Sequence, residues 1–100
     1  MRVFSIDEPS ISVRRNEQFC LVAPAVPTAG YRWLVETKEP GLTVVESSVE
    51  PRNDAVGGAA SQRIVLCSVG DTSAKIRLVY RQAGGGPVAD EREIEISIEE

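Results

Sequence analysis

The feature that most limits how this chain can fold is the alternation of apolar and polar residues near its end. Ile94, Ile96 and Ile98 alternate with polar side chains, most of which are glutamates. In a strand, residues two apart lie on one face, so all three isoleucines can be buried while the acids stay in water. A helix would spread the same three residues around its circumference. The segment therefore predicts a β-strand with one face in a core.

The same period of two recurs along most of the chain. We predict further strands at residues 74–80, 19–23, 31–35, 42–45, 64–67 and 10–13, with the weakest signal at 2–6. Segments 42–45 and 64–67 are apolar on both faces, which is typical of strands that are covered on both sides or that make an edge contact. No long stretch shows the 3.6-residue apolar period of a helix. Proline, glycine, asparagine and aspartate mark turns between the strands.

Seven or eight short antiparallel strands at this spacing predict an all-β fold, an immunoglobulin-like β-sandwich. We expect residues 1–100 to form one domain, since one core suits a chain of this length. A tryptophan in mid-strand, here Trp33, normally packs between the two sheets of a sandwich. The connections at 24–30, 51–61 and 82–90 are long and rich in proline and glycine. Alternate loops of a sandwich share an end, so one end is predicted to be a contact surface.

The composition argues against several classes of function. Histidine is absent, which removes the usual general base and the commonest metal ligand. Cys20 and Cys67 fall in the centres of predicted strands without an activating base, so we expect two separate thiols, neither catalytic nor disulfide-bonded. The net charge of −4 provides no basic surface for nucleic acid or an anionic membrane. We predict a monomeric binding protein, not an enzyme, with no metal and no cofactor.

The start of the chain bears on where the protein works. Residues 1–8 lack the apolar run of about 7–15 residues that marks a secretory signal. No stretch approaches the roughly 20 apolar residues of a membrane span. We therefore expect a cytoplasmic protein unless a signal segment precedes this chain.

Two segments resemble motifs of the chagasin family, which are immunoglobulin-like protein inhibitors of papain-type cysteine proteases. The family's first binding loop reads Asn-Pro-Thr-Thr-Gly and is followed by Tyr-x-Trp. The sequence Val26-Pro27-Thr28-Ala29-Gly30-Tyr31-Arg32-Trp33 is similar and differs at Val26 and Ala29. The family's second loop carries Gly-x-Gly-Gly, and Ala55-Val56-Gly57-Gly58 keeps its last two glycines. The order of the later strands and turns also agrees, so the likeness covers roughly residues 10–98.

The third family motif is different in this chain. The family places Arg-Pro-Trp after a strand that ends in tyrosine, whereas here Tyr80 is followed by Arg81-Gln82-Ala83-Gly84-Gly85-Gly86-Pro87. An aromatic anchor in an interface is often worth about 2 kcal/mol or more. The resemblance therefore implies that the absence of this tryptophan costs about 30-fold or more in affinity, at 1.4 kcal/mol per tenfold change.

The resemblance implies a reversible, substrate-competitive inhibitor of papain-like cysteine proteases that inserts three loops from one end of the sandwich into the protease cleft. The residues that it assigns to protease contact are Val26, Pro27, Thr28, Ala29, Gly30, Val56, Gly57, Gly58, Arg81, Gln82 and Ala83. A second reading keeps the same scaffold but gives it a non-protease protein partner. The first motif favours the inhibitor and the altered third motif favours the alternative, so both remain open on the sequence.

Overall fold

The computed structural model describes residues 1–25, 30–38, 41–51, 60–70, 73–82 and 84–99, and its regular structure is all strand. The strands are β1 (Arg2–Ser5), β2 (Ser10–Arg14), β3 (Gln18–Ala25), β4 (Tyr31–Lys38), β5 (Leu42–Pro51), β6 (Ala60–Ser68), β7 (Ser73–Gln82) and β8 (Asp90–Glu99). Every strand predicted from the sequence is present, and several are longer than their apolar cores. Within the described ranges, no helix has the length and apolar character to cross a membrane.

The strands form two four-stranded sheets. The first sheet has the order β1-β3-β6-β5 and the second has the order β2-β8-β7-β4. The predicted β-sandwich is therefore confirmed, but its pairing is not antiparallel throughout, because β1 pairs with β3 and β2 pairs with β8 in parallel. β1 lies in the first sheet and β2 lies in the second, so the chain crosses between the sheets at this point. Each of these two strands lies beside a strand that runs in the same direction. The alternation of apolar and polar residues indicates which face of a strand is buried, but it does not indicate the direction of the neighbouring strand. The two parallel pairs were therefore not predicted from the sequence.

The core lies between the sheets and follows the predicted alternation. Ile94 and Ile96 are fully buried and Ile98 is 6% exposed. Trp33 is only 4% exposed, which confirms its assignment to the core. The remaining inward positions follow the same pattern, and the larger ones that are almost completely buried are Phe19, Leu21, Leu42, Ile64, Leu66, Ile76 and Leu78. Burial of this set relative to the unfolded chain is the main stabilising term for such a fold.

The two segments that were apolar on both faces have different explanations. β5 is an edge strand, and its register with β6 shifts between Val44 and Glu46, which leaves Val45 50% exposed. The apolar run in β5 therefore reflects a β-bulge rather than burial on both faces. In β6, which lies between β3 and β5, Val65 and Cys67 are half-buried on the outer face. Cys20 and Cys67 are both free thiols, as predicted.

One end of the sandwich, which we call the far end, is closed by close main-chain contacts. Ser68 is fully buried there. Its N–H donates to the carbonyl of Glu17 at 3.1 Å, and its carbonyl accepts from the N–H of Asn16 at 2.6 Å. The Ser68 hydroxyl donates to the carbonyl of Arg14. A Cβ added to Gly70 would lie 2.8 Å from the Cα of Gly41, so this contact requires glycine.

Candidate protein-binding site

The predicted contact residues form three segments, residues 26–30, 56–58 and 81–83. The strand ends beside these segments lie at one end of the sandwich, opposite the far end. In the first sheet, Ala25 and Pro51 both pair with Ala60. In the second sheet, Tyr31 pairs with Gln82. We call this end the loop end. Each segment therefore leaves and re-enters the fold at the same end, as the up-and-down arrangement of the strands predicts.

The structure describes some of the predicted contact residues and not others. Gly30, Arg81 and Gln82 lie among the described residues, the first immediately before β4 and the other two at the end of β7. Residues 26–29, residues 56–58 and Ala83 lie outside the described residues. The assignment of all these residues to protease contact, Gly30, Arg81 and Gln82 included, stays a prediction from the sequence.

Gly30 ends the first contact segment in a backbone conformation that favours glycine. Its φ of +79° lies in the left-handed region, where other residues are strained. A Cβ at Gly30 would meet nothing within 4 Å, so the restriction comes from the backbone and not from lack of space. This agrees with the expectation that Gly30 permits a tight turn immediately before β4.

Trp33 ties the two strands that flank the first segment. Its indole Nε1 donates a hydrogen bond of 3.0 Å to the carbonyl oxygen of Pro24 in β3. Pro24 precedes residues 26–29 and Trp33 follows them, so one side chain fixes the separation of the strands on either side. The indole is buried between the sheets, where an unpaired N–H would be costly. The tryptophan of the first motif therefore has a structural role beneath the segment.

Gln62 joins the two sheets at the same place. Its Oε1 accepts from the main-chain N–H of Trp33 at 2.7 Å, and its Nε2 donates to the carbonyl of Trp33 at 2.6 Å. The same Nε2 also approaches the hydroxyl of Ser47 in β5 at 3.3 Å. Gln62 lies in β6 of the first sheet, whereas Trp33 lies in edge strand β4 of the second. The amide thus occupies the position that a further strand would take beside β4.

The role of Gln62 was not predicted from the sequence, although a signal was present. Gln62 shares the inward face of β6 with Ile64 and Leu66, and it is only 2% exposed. Buried polar side chains are almost always hydrogen-bonded. An inward glutamine in an alternating strand therefore indicates a partner, but only the structure identifies that partner as the backbone of Trp33.

Aromatic and charged side chains extend this support toward the start of β8. The ring of Tyr80 lies 5.0 Å from that of Trp33 and 5.4 Å from that of Tyr31. The guanidinium of Arg92 lies 5.6 Å from the Trp33 ring and pairs with Asp7 at 2.9 Å and Asp90 at 2.7 Å. The hydrogen bonds that Arg92 donates to Asp7 and Asp90 raise the pKa of Arg92. The ion pairs hold the first residue of β8 against the turn after β1.

The third segment begins as a turn closed by main-chain hydrogen bonds. The N–H of Gly85 donates to the carbonyl of Gln82 at 3.0 Å, and the N–H of Ala89 donates to the carbonyl of Tyr80 at 2.7 Å. Gly85 and Gly86 have φ values of 113° and 109°. Only glycine adopts such angles readily, so the glycines are needed to close the turn between β7 and β8.

The described part of this end carries binding groups rather than reactive ones. Within the described ranges, no three histidine, cysteine or acidic side chains are grouped to hold a metal ion. Cys20 and Cys67 lie in the strands of the first sheet and not at the loop end. The described geometry is that of strand ends braced from within the sandwich by Trp33 and Gln62.

Three solved structures share this fold at low sequence identity. A cysteine protease inhibitor from Entamoeba histolytica, EhICP2, has a TM-score of 0.79 at 15% identity, with 97% of this chain and 94% of that chain covered. Amebosin has a TM-score of 0.73 at 21% identity, with coverage of 98% and 95%. PbICP-C, solved in complex with falcipain-2, has a TM-score of 0.63 at 12% identity, with coverage of 99% and 98%. At these identities the likeness shows the fold.

The sequence itself gives the family. A comparison with curated protein sequences finds no match. The family model described as "Chagasin family peptidase inhibitor I42" matches residues 12–98, which is most of the chain and includes all three predicted contact segments. The chain therefore belongs to the chagasin family of peptidase inhibitors, and its function is inhibition rather than catalysis.

Proposed function

We propose that the protein inhibits papain-like cysteine proteases reversibly and in competition with substrate, with its loop end inserted into the protease cleft. The observation that carries this proposal is that the segments with the family's loop motifs connect strands at one end of a family-typical fold. Two proteins of the same fold support it: one is described as a cysteine protease inhibitor, and another was solved in complex with falcipain-2.

The proposed inhibitor binds through a segment whose flanks are already held in place. Gln62 and Trp33 fix the strands on either side of residues 26–29 before any partner arrives. Binding then costs less conformational entropy than the ordering of a free loop would. In the proposed complex, Pro27 and Thr28 face the catalytic cysteine without presenting a well-placed scissile bond. Gly57 and Gly58 allow the second segment to approach the protease closely.

The test is an inhibition assay with papain and a cathepsin-L-like protease, in which hydrolysis of a fluorogenic peptide is followed. We expect competitive inhibition at nanomolar to low micromolar concentration. Thr28→Arg and Gly30→Trp should raise the inhibition constant at least about tenfold, which corresponds to about 1.4 kcal/mol. Val69→Arg is the matched control, because Val69 is exposed and follows β6 at the far end. Circular dichroism should show the same fold in all variants.

Absence of inhibition at about 100 μM protein would contradict the proposal for these proteases. It would mean that the free energy of binding is weaker than roughly −5.5 kcal/mol. The alternative is then an immunoglobulin-like module whose loop end binds a non-protease protein. An equal loss of inhibition in Val69→Arg would also contradict the proposed orientation, since that variant leaves the loop end unchanged.

A further inference from the structure

Two arginines lie directly opposite each other at the loop end of the second sheet. Arg32 in β4 pairs with Arg81 in β7, and both side chains are on the outer face because Trp33 and Tyr80 point inward. Arg32 is exposed and Arg81 is half-buried. Among the described residues neither arginine has an ion pair, and the Nε of Arg81 is buried without a hydrogen-bond partner.

A third arginine on the same face, Arg77, has its charge paired with carboxylates. Arg77 lies in β7, four residues before Arg81, and its Nε lies 3.4 Å from a carboxylate oxygen of Glu36. Its other guanidinium nitrogen pairs with Glu91, and this hydrogen bond is the main reason that the pKa of Arg77 is raised. Among the described residues, the sheet therefore provides acids for Arg77 in its middle, but none for Arg32 and Arg81 at the loop end.

The unpaired arrangement is unfavourable in the free protein. Like charges directly opposite on neighbouring strands repel each other. A buried N–H donor without an acceptor has lost its hydration and gained no bond in return. A carboxylate of a partner placed between the two guanidinium groups would relieve the repulsion, since the terminal nitrogens of guanidinium bind carboxylate through paired hydrogen bonds.

We propose that Arg32 and Arg81 together bind an acidic side chain of the target protease at the rim of its cleft. This proposal rests on the proposed function and adds a physical reason for the inhibitor to prefer proteases with an acidic side chain at that position. Arg32 is two residues from Gly30, and Arg81 begins the third contact segment, so the pair lies between two of the three segments. The chain has a net charge of −4, so this pair is a local positive site on an acidic protein.

The test compares charge reversals against two papain-like proteases of opposite net charge. Arg32→Glu, Arg81→Glu and the control Arg63→Glu change the net charge equally. Arg63 is half-buried on the outer face of β6 in the first sheet. Inhibition constants and association rates are measured at low and at high salt. With the acidic protease at low salt, we expect each loop-end variant to weaken inhibition about tenfold or more and Arg63→Glu to change it less than about twofold.

Thermal unfolding separates this effect from damage to the fold. Arg32→Gln and Arg81→Gln remove the repulsion without adding a negative charge, so their Tm should be unchanged or raised by up to about 4 °C. The same glutamine variants should flatten the salt dependence of the association rate with the acidic protease.

The failure of this proposal is distinguishable from failure of the proposed function. If the unmodified protein inhibits both proteases and the loop-end reversals behave like Arg63→Glu, the arginine pair is not a carboxylate site and the inhibitor assignment stands. If the unmodified protein inhibits neither, the proposed function fails and this proposal fails with it. A loss of inhibition that is equally large for the cationic protease would also overturn the acidic-contact proposal.

Discussion

The two ends of the sandwich are held together in different ways. The far end is closed mostly by main-chain hydrogen bonds around Ser68 and by the contact between Gly41 and Gly70, and the side chains of Ser68 and Glu17 add hydrogen bonds to Arg14. Among the described residues, the loop end is instead braced by side chains that project from the strands, above all Trp33 and Gln62. Bracing of this kind fixes the described strand ends at which the predicted contact segments begin and end, which suits an inhibitor.

The largest expected effect comes from removing the brace at the loop end. Gln62→Leu leaves the N–H and the carbonyl of Trp33 buried without partners. At about 1–3 kcal/mol for each of the two orphaned groups, we expect a loss of about 2–6 kcal/mol in the free energy of unfolding, measured by urea denaturation. Inhibition should weaken at least about tenfold at temperatures where the variant is fully folded, because the flanks of the first segment are no longer fixed.

Gln62→Glu sharpens this prediction. A carboxylate accepts from the N–H of Trp33 but cannot donate to its carbonyl, whereas a protonated carboxyl group can do both. Burial raises the pKa of such a group, so its favourable contribution is present at low pH and is lost as the pH rises through that raised value. The deficit of the variant relative to the unmodified protein should therefore grow with pH. A deficit independent of pH would contradict the two-bond role of Gln62.

A smaller effect is expected at the far end from Gly70→Ala. The added Cβ would lie 2.8 Å from the Cα of Gly41, a main-chain atom that cannot move without a shift of the turn. We expect a loss of about 1–3 kcal/mol in the free energy of unfolding, measured by urea denaturation, and an unchanged inhibition constant for the folded variant. Gly84→Ala is the matched control, since nothing lies within 4 Å of a Cβ there. Weaker inhibition by folded Gly70→Ala would show that the two ends are coupled.

The smallest effect concerns the ion pair at the far end. Glu17 lies 2.7 Å from Arg2 and accepts from the N–H of Arg14, and these bonds lower the pKa of Glu17 from 4.5 to about 2. A lowered pKa in the folded state means that the stabilisation is present above about pH 4.5 and is lost as the pH falls toward 2. Arg2 is 52% exposed, so solvent screens the pair and Glu17→Gln should cost about 1 kcal/mol or less at pH 7.

The measurement is the free energy of unfolding of Glu17→Gln and of the unmodified protein between pH 7 and pH 2. The two curves should converge as the pH falls. A difference that stays constant down to pH 2 would mean that the charge of Glu17 does not contribute.

The sequence predicts the strands well and the contacts between distant strands poorly. Alternation identifies the buried face of β8, because a period of two is a local property. The parallel pairing of β1 with β3 depends on the path of the chain between sheets, which no local pattern records. The opposition of Arg32 and Arg81 depends on the register of β4 with β7, so the two positions looked unrelated in sequence. The assignment of residues 1–100 to one domain stays a prediction.

Trp33 is the only tryptophan in the chain, so tryptophan fluorescence reports on the surroundings of this one residue. Its indole contacts the Pro24 carbonyl, the Tyr80 ring and the Arg92 guanidinium, all beneath the loop end. The tryptophan fluorescence of the protein, excited selectively over that of its two tyrosines, therefore comes from one indole at that end. With a target lacking tryptophan near the contact, or with selective labelling of the indole, occupation of the loop end can be followed by emission without an external dye.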